Sequence, residues 1–286
     1  MSSVLWEYAA SPRRLAGRVT ALVLLTLPSP GDPYVFTLGG FQPRWYGVIL
    51  AIAIVAGVLV ARRGFARRGL DPEAVVPIAV AAVVLGFAGA RVEHVLTDLK
   101  PFDAIPQNAF VIWRGGLGVY GGVIGGMIGA ALACRLMRLP FWVVADCTAP
   151  GVVLGQAVGR LANYANQELY GHPSNLPWAI RIDNPVPPYL PGRAFQPAFA
   201  YEALWDLAVL AVLLTFARRA GGRIRPGTVF ALYAALYAIG RLAMERIRID
   251  PTTYVLGQRV EIWVSLAVLL LAGSAFAALW RGRVRV

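Results

Sequence analysis

Seven apolar blocks, separated in strict alternation by arginine clusters, constrain this chain more than any other feature of its sequence. Each block is close to the roughly 20 residues that a helix needs to cross a bilayer. Charged residues make up only 15% of the 286 residues, against about 25% in a soluble domain. The pattern predicts an all-α polytopic membrane protein with seven transmembrane helices. The blocks lie at residues 45–61, 73–92, 116–134, 141–158, 199–217, 227–245 and 259–280.

The arginine clusters predict how these helices are oriented. They follow blocks one, three, five and seven, in short connections where positive charge marks the cytoplasmic side. We therefore predict that the N-terminus lies outside and the C-terminus inside. The connections 93–115, 159–198 and 246–258 then face outward, and 159–198, the largest and most polar, is predicted to fold as a small cap. Because loops on a rigid scaffold usually carry function, we expect the site in the outward half.

The chain is predicted to comprise an N-terminal segment, residues 1–40, and a seven-helix domain, residues 41–286. In the first segment the apolar run Val19–Leu27 is too short to span, and prolines end it. An interfacial segment is favoured over a removed signal peptide, because no clean small-residue cleavage pattern is present.

The net charge of +12 does not indicate nucleic acid as a partner. Lys100 is the single lysine among the 27 basic residues, and no basic stripe is interleaved with exposed aromatic residues. Cys134 and Cys147 make neither a disulfide framework nor a four-ligand zinc set, and we interpret them as apolar filler. His94 and His172 are the only histidines, and no carboxylate–histidine spacing indicates a metal. No metal and no cofactor is expected.

Block three carries two glycine ladders of the kind that lets neighbouring helix backbones approach closely. Tight packing of a central helix explains most of these glycines. It does not explain Tyr120, a large polar ring among them near the outer end, which indicates open space beside the ring. The ladders are Gly118, Gly122 and Gly126, and Gly121, Gly125 and Gly129.

The end of block six combines ionisable residues on one helical face. At about 100° per residue, four side chains fall within roughly 80° of one another, whereas Arg246 lies on the opposite side. A bare Arg241–Glu245 pair would merely neutralise itself, but it would not require the other two residues on the same arc. We therefore interpret this face as a site, since charges inside a membrane span usually mark function. The four residues are Tyr237, Arg241, Glu245 and Arg248.

Three further polar sets lie at the predicted outward ends of the spans. Arg160 and Asn163, at i and i+3 where block four ends, can point together into the bundle, whereas a solvated loop suffices for Gln167. An arginine-rich pocket beneath a polar cap, open to lipid, suits a phosphate-bearing lipid headgroup. The sets are Arg160, Asn163, Asn166, Gln167 and Glu168; Tyr201 and Glu202; and Arg44, Trp45 and Tyr46. Trp45 is interpreted as an interface anchor, and Tyr46 can equally be one.

Five motifs, in order along residues 44–280, resemble those of the prolipoprotein diacylglyceryl transferases. The asparagine-rich motif is the most specific, and residues 1–40 lie outside the resemblance. The motifs are RWYG at 44–47, GGLGVYGG at 115–122, GRLANYANQELYG at 159–171, QPAFAYE at 196–202 and GRLAMERIR at 240–248.

The resemblance implies a bacterial inner-membrane enzyme with its active site toward the outer leaflet. Such an enzyme moves a diacylglyceryl group from phosphatidylglycerol to the lipobox cysteine of a prelipoprotein signal peptide, forms a thioether and releases glycerol 1-phosphate. By motif position, the expected catalytic residues are Arg160, Glu168, Arg241 and Glu245, with Tyr120 in the motif of block three. The residues expected to bind phosphatidylglycerol are Tyr46, Arg160, Asn163, Gly171, Tyr237 and Arg241.

Tyr120 departs from the family pattern, because many members carry a histidine at this position that has been proposed as the base. Gln196 likewise stands where many relatives have histidine. The nucleophile is the thiol of the substrate, with an ordinary pKa near 8.5, so modest help is enough to form the thiolate. Tyr120 or Glu168 is then the candidate proton acceptor.

Two other classes of function compete with a transferase. An anionic-solute or lipid transporter would also use seven spans and a basic pocket, but the sequence has no inverted internal repeat of the kind that many transporters show. An inactive relative that binds lipid without turnover is the other alternative, motivated by Tyr120.

Overall fold

The computed structural model describes residues 31–282 except 32, 40–41, 98–115, 117 and 221–223. Most of the predicted interfacial segment in residues 1–40 lies outside the described residues. The same holds for Arg223, Arg283 and Arg285, three of the clustered arginines.

Seven α-helices occur in the described part of the chain, and each falls on one of the seven apolar blocks. Six of them are long and apolar enough to cross a membrane, whereas the sixth in order has only 17 residues. The helices are α1 Trp45–Arg67, α2 Val75–Thr97, α3 Val119–Leu136, α4 Phe141–Ala165, α5 Ala198–Ala220, α6 Thr228–Met244 and α7 Val260–Arg281.

Large apolar side chains are exposed along these helices. Val84 of α2, Ile124 of α3 and Leu271 of α7 are 58%, 60% and 74% exposed. Soluble proteins rarely expose such extended apolar surface, whereas lipid tails cover it at no cost. The chain is therefore a multi-pass membrane protein.

The helix ends show local reasons for where they begin and stop. Asp71 accepts a hydrogen bond from the N–H of Glu73 at 3.0 Å and so caps a 3₁₀ turn, Pro72–Ala74, ahead of α2. The start of α6 is capped by another helix, because Asp146 of α4 accepts the N–H groups of Gly227 and Phe230 at 2.8 and 2.9 Å. Two otherwise unpaired donors at that helix end are thus satisfied.

The chain divides into two compact units. The first draws on Met1–Ala53, Gln156–Val209 and Ala235–Leu271. The second draws on Ile54–Gly155, Leu210–Ala234 and Ala272–Val286.

In the first unit, α4 continues to Ala165, so the beginning of the predicted cap is still helical. The segment after it contains two short antiparallel strands, β1 Ile180–Arg181 and β2 Ala194–Phe195. A second pair, β3 Tyr254–Val255 and β4 Gln258–Arg259, precedes α7 and is joined by two residues of positive φ, as in a type I′ hairpin turn. None of these strands was predicted. The connection between α4 and α5, together with the start of α5, has its own apolar core of Tyr170, Ile180, Ile182, Phe195 and Phe199.

In the second unit, one of the two glycine ladders forms the packing surface between α2 and α3. A Cβ atom at Gly121, Gly125 or Gly129 would lie 2.2–2.3 Å from a backbone oxygen of α2. At Gly122 and Gly126 the nearest atoms would be 3.5 Å away, an ordinary contact distance. Cys134 and Cys147 are buried in the apolar core of this unit, in agreement with their interpretation as filler.

Candidate active site

A buried carboxylate near the start of α5 organises the polar cluster of the first unit. Glu202 is 5% exposed. Its oxygens lie 2.5 Å from Nη2 of Arg160, 3.4 Å from Nη1 of Arg248 and 3.7 Å from Nη1 of Arg241. Glu202 therefore brings together arginines from α4, α6 and the segment after α6.

A second buried carboxylate ties α6 to the residue before α7. The side chain of Glu245 is fully buried; one oxygen lies 2.5 Å from Nη2 of Arg241 and the other 2.5 Å from Nε of Arg259. As predicted from the helical face, the Arg241–Glu245 pair is not self-contained, because Glu245 also contacts Arg259. Removing one partner of such a buried network leaves a charge uncompensated, which is strongly destabilising.

Asp250 completes the network outside the helices. Arg248 donates to it through Nε and Nη2 at 2.7 and 2.9 Å, and Arg259 donates through Nη2 at 3.1 Å. Burial acts to raise the pKa of the Asp250 carboxyl. The hydrogen bonds and charge of Arg248, with the charge of Arg259, outweigh burial and hold that pKa below its usual range.

The helical face predicted from sequence persists although α6 ends at Met244. Helix-like hydrogen bonds continue beyond it, from the N–H of Glu245 to the carbonyl of Arg241 at 3.0 Å and from the N–H of Arg248 to that of Met244 at 3.1 Å. Glu245 and Arg248 are buried in the network, and Arg246 is exposed. The prediction that Arg246 lies on the opposite side is confirmed.

A narrow cavity of about 10 Å³, room for about one water molecule, adjoins this network. Gly240 allows α6 to pack closely against Trp205 in the wall of this cavity, because a Cβ atom at Gly240 would lie 2.2 Å from Nε1 of Trp205. That indole N–H donates instead to the carbonyl of Leu236 at 3.0 Å. The cavity is lined by Arg160, Glu202, Trp205, Asp206, Tyr237, Gly240, Arg241 and Met244.

The asparagine-rich segment positions a further carboxylate at the end of α4. Asn163 is 6% exposed and donates to Oε1 of Glu168 at 2.9 Å, and Asn166 donates to the same oxygen at 3.5 Å. Tyr46 of α1 lies close enough to Glu168 and Arg160 for their charges to act on its hydroxyl group. Gln167 joins the neighbouring loop, since its amide exchanges two hydrogen bonds of 2.7 Å with Asp183.

Gly171 lies where two backbones meet. It forms an isolated antiparallel bridge with Arg248, and its N–H donates to the carbonyl of Gln196 at 2.8 Å. A Cβ atom at this position would lie 2.5 Å from Cγ2 of Ile247. Glycine is therefore required for the close approach of this backbone to Ile247 and Arg248.

Tyr120 belongs to the second unit, at the start of α3, and is 37% exposed. The N–H of the following residue, Gly121, donates to Glu93 of α2 at 2.7 Å. A carboxylate at a helix N-terminus is stabilised by the helix dipole. The backbone at Tyr120 is thus held by α2.

Three residues of the network and its adjoining cavity were not among the predicted site residues: Asp206, Asp250 and Arg259. For Asp206 a signal existed, because it follows Glu202 by one helical turn inside an apolar block, where an ionisable residue usually marks function. Asp250 and Arg259 lie in or beside a connection that was predicted to face outward, and they carry no such signal.

The helices have apolar surfaces that are compatible with lipid, and they enclose a buried network of arginines and carboxylates. These two features together define a membrane protein with charged side chains buried among its helices. A family profile described as prolipoprotein diacylglyceryl transferase matches residues 33–279. The chain belongs to the prolipoprotein diacylglyceryl transferase family.

Curated relatives from several bacteria support this assignment. Proteins of Frankia alni, Frankia casuarinae and Nostoc sp., each named phosphatidylglycerol–prolipoprotein diacylglyceryl transferase, are 44%, 42% and 37% identical over 251, 260 and 258 residues. These matches cover 86%, 90% and 88% of this chain. They cover 90% of the Nostoc protein but 66% and 63% of the two Frankia proteins, less than two thirds of their length.

Proposed function

We propose that this chain transfers the diacylglyceryl group of phosphatidylglycerol to the lipobox cysteine of a prelipoprotein. The thiol sulfur forms a bond to the glycerol carbon while the bond from that carbon to the phosphate oxygen breaks. The products are a thioether-linked lipid and glycerol 1-phosphate. Family membership supports the reaction, and the arginine network supports the placement of the phosphate.

One observation carries the proposal: Arg160 and Arg241 line the same cavity, and both are held by the buried carboxylate of Glu202. Guanidinium groups recognise phosphate oxygens through paired, directional hydrogen bonds. In the proposed complex the cavity widens to admit the phosphate, which replaces Glu202 as the partner of these two arginines.

We assign a role to each residue from its position. Arg160 and Arg241 clamp the phosphate and stabilise the charge that develops on it as the carbon–oxygen bond breaks. Glu245, between Arg241 and Arg259, fixes the Arg241 side chain.

The remaining proposed residues act on the headgroup and on the thiol proton. Asn163, Tyr46 and Tyr237 orient the glycerol headgroup, and Gly171 permits the backbone approach beside it. Tyr120 and Glu168 are the acceptors that the sequence offers for the thiol proton. No cofactor or metal takes part in the proposed reaction.

We further propose that α1–α7 all span the bacterial inner membrane, with the N-terminus outside and the C-terminus inside. Supporting this, Arg62 and Arg63 near the end of α1 and Arg218 and Arg219 near the end of α5 lie at the side that positive charge marks as cytoplasmic. The site then opens toward the outer leaflet beneath the outward cap, and residues 1–40 form a separate N-terminal segment.

The test is an assay of the purified protein with phosphatidylglycerol, labelled in its headgroup glycerol, and a lipobox peptide. We expect labelled glycerol phosphate and a lipidated peptide in equal amounts. The matched control is the peptide with serine in place of the lipobox cysteine, which should give neither product. A transporter or an inactive lipid-binding relative would release no glycerol phosphate with either peptide, and that result would refute the proposal.

A further inference from the structure

We propose that Asp206 is the group that accepts the proton of the substrate thiol, in place of Tyr120 or Glu168. This inference rests on the proposed transferase function and assigns a residue to its least explained step.

Asp206 lies inside the site. It follows Glu202 by one helical turn on α5, is 2% exposed and lines the same cavity as Arg160 and Arg241. The charged and titratable groups that face it are Arg160 from α4, Glu202 from its own helix, and Tyr237 and Arg241 from α6. Burying an ionised carboxyl group among apolar helices costs free energy unless the charge is neutralised. A carboxyl group retained at such a position usually has a functional role.

Asp206 differs from the other acids of the network in its bonding. Glu202, Glu245 and Asp250 each pair with two or more arginines at 4 Å or less. Oδ2 of Asp206 is buried without a hydrogen-bond partner, as are Oε2 of Glu202 and Oε1 of Glu245, but Asp206 alone of these acids forms no ion pair within 4 Å in the described part of the chain. Because no arginine holds it as a carboxylate, Asp206 can change its protonation state without breaking an ion pair.

The charges of the network favour this role. Four arginines, Arg160, Arg241, Arg248 and Arg259, pair with those three acids, which leaves one positive charge in excess. An ionised Asp206 cancels that excess before the reaction. When Asp206 takes up the thiol proton, the network again carries one excess positive charge. In the same step the phosphate group gains a second negative charge, which this excess positive charge offsets.

The step balances in atoms and charge. The thiol proton moves to Asp206, and the electron pair of sulfur forms the bond to the glycerol carbon. The electron pair of the breaking carbon–oxygen bond remains on the phosphate oxygen, so glycerol 1-phosphate forms as a dianion. The proton then passes from Asp206 to the departing phosphate monoester.

The other two candidates are less suited to this step. Oε1 of Glu168 already accepts hydrogen bonds from Asn163 and Asn166, so this oxygen is less available to a substrate proton. A phenol is a weak acid and a poor proton acceptor at neutral pH, which disfavours Tyr120.

The experiment compares Asp206→Asn with the wild-type protein on two lipobox peptides, one with cysteine and one with selenocysteine. A selenol is ionised at neutral pH and needs no acceptor. We expect Asp206→Asn to lower turnover of the thiol peptide by roughly 10²–10⁴-fold at pH 7, the scale for losing a general base. The loss should shrink as the pH rises toward the thiol pKa, near 8.5, and the selenol peptide should react at close to the wild-type rate.

Asp146→Asn is the matched control, because Asp146 is also a buried acid of a long helix but its oxygens accept backbone N–H groups. Its turnover should fall by the same factor on both peptides. An Asp206→Asn variant that is equally impaired on both peptides, or unimpaired on thiol, overturns the role of Asp206 alone. A wild-type protein inactive on both peptides overturns the proposed function and this inference with it.

Discussion

At the scale of the residue, the proposed chemistry depends on guanidinium groups held by carboxylates rather than on positive charge alone. Arg241 lies 2.5 Å from Glu245 and 3.7 Å from Glu202, so its planar group is oriented from two sides. Lysine would keep the charge but lose the paired donors that match a phosphate. We expect Arg241→Lys to reduce glycerol phosphate release by roughly 10²–10³-fold, the scale for one lost donor at developing charge.

Arg246→Ala is the control for this prediction, because Arg246 is exposed and lies on the other side of the same segment. Its turnover should match that of the wild-type protein. Near-normal turnover of Arg241→Lys would contradict the assignment of Arg241 as a phosphate clamp.

Tyr120 provides a second prediction at this scale. If Tyr120 only shapes the space at the start of α3, Tyr120→Phe keeps the ring and should change turnover by less than about tenfold, far below the loss of a base. A loss of 10²-fold or more, one that shrinks with rising pH, would identify the Tyr120 hydroxyl as the proton acceptor, since this is about the smallest effect expected for a general base. Tyr120→His is the companion variant: little gain in rate is expected if Asp206 already accepts the proton.

At the scale of the element, the close approach of the α2 and α3 backbones depends on Gly121, Gly125 and Gly129 and not on Gly122 or Gly126. A Cβ atom at Gly125 would lie 2.2 Å from the backbone oxygen of Leu85, whereas one at Gly126 would lie 3.5 Å from that of Ala82. Because a backbone oxygen cannot move as a flexible side chain can, Gly125→Ala must push the helices apart. Overpacking of this kind typically costs about 1–3 kcal/mol.

Thermal unfolding in detergent should therefore show a lower midpoint for Gly125→Ala and little change for Gly126→Ala. The two glycines are neighbours on the same helix, so the intrinsic gain of alanine in a helix applies to both. Equal midpoints for the two variants would contradict the assignment of the packing ladder.

At the scale of the whole molecule, the prediction concerns which ends of the helices face the cytoplasm. Asn184 in the proposed outward cap and Arg67 at the end of α1 are both exposed, and both native cysteines are buried. We expect a membrane-impermeant maleimide to label Asn184→Cys in intact spheroplasts and Arg67→Cys only after permeabilisation. Labelling in the reverse order would show that the proposed orientation is inverted.

Much of the architecture could be predicted because its causes are local in the chain. The apolar blocks coincide with α1–α7, since the length and composition of a segment decide whether it can form a membrane-compatible helix. The face that carries Tyr237, Arg241 and Glu245 also followed from sequence, because helical periodicity relates residues three and four apart. The short strands β1–β4 did not, because two-residue pairings have no periodic pattern to detect.

The amino-acid sequence by itself determined the class of protein and the family, and it identified Arg160 and Arg241 as candidate site residues. Only the tertiary structure decided which carboxylate each arginine meets: Glu202 pairs with Arg248, 46 residues away, and Glu245 with Arg259, 14 residues away. It also decided which glycine ladder packs and showed that Asp206 lines the same cavity as the two arginines. Apolar length and helical period are properties of neighbouring residues, whereas ion pairs and close backbone contacts exist only once separate helices have packed.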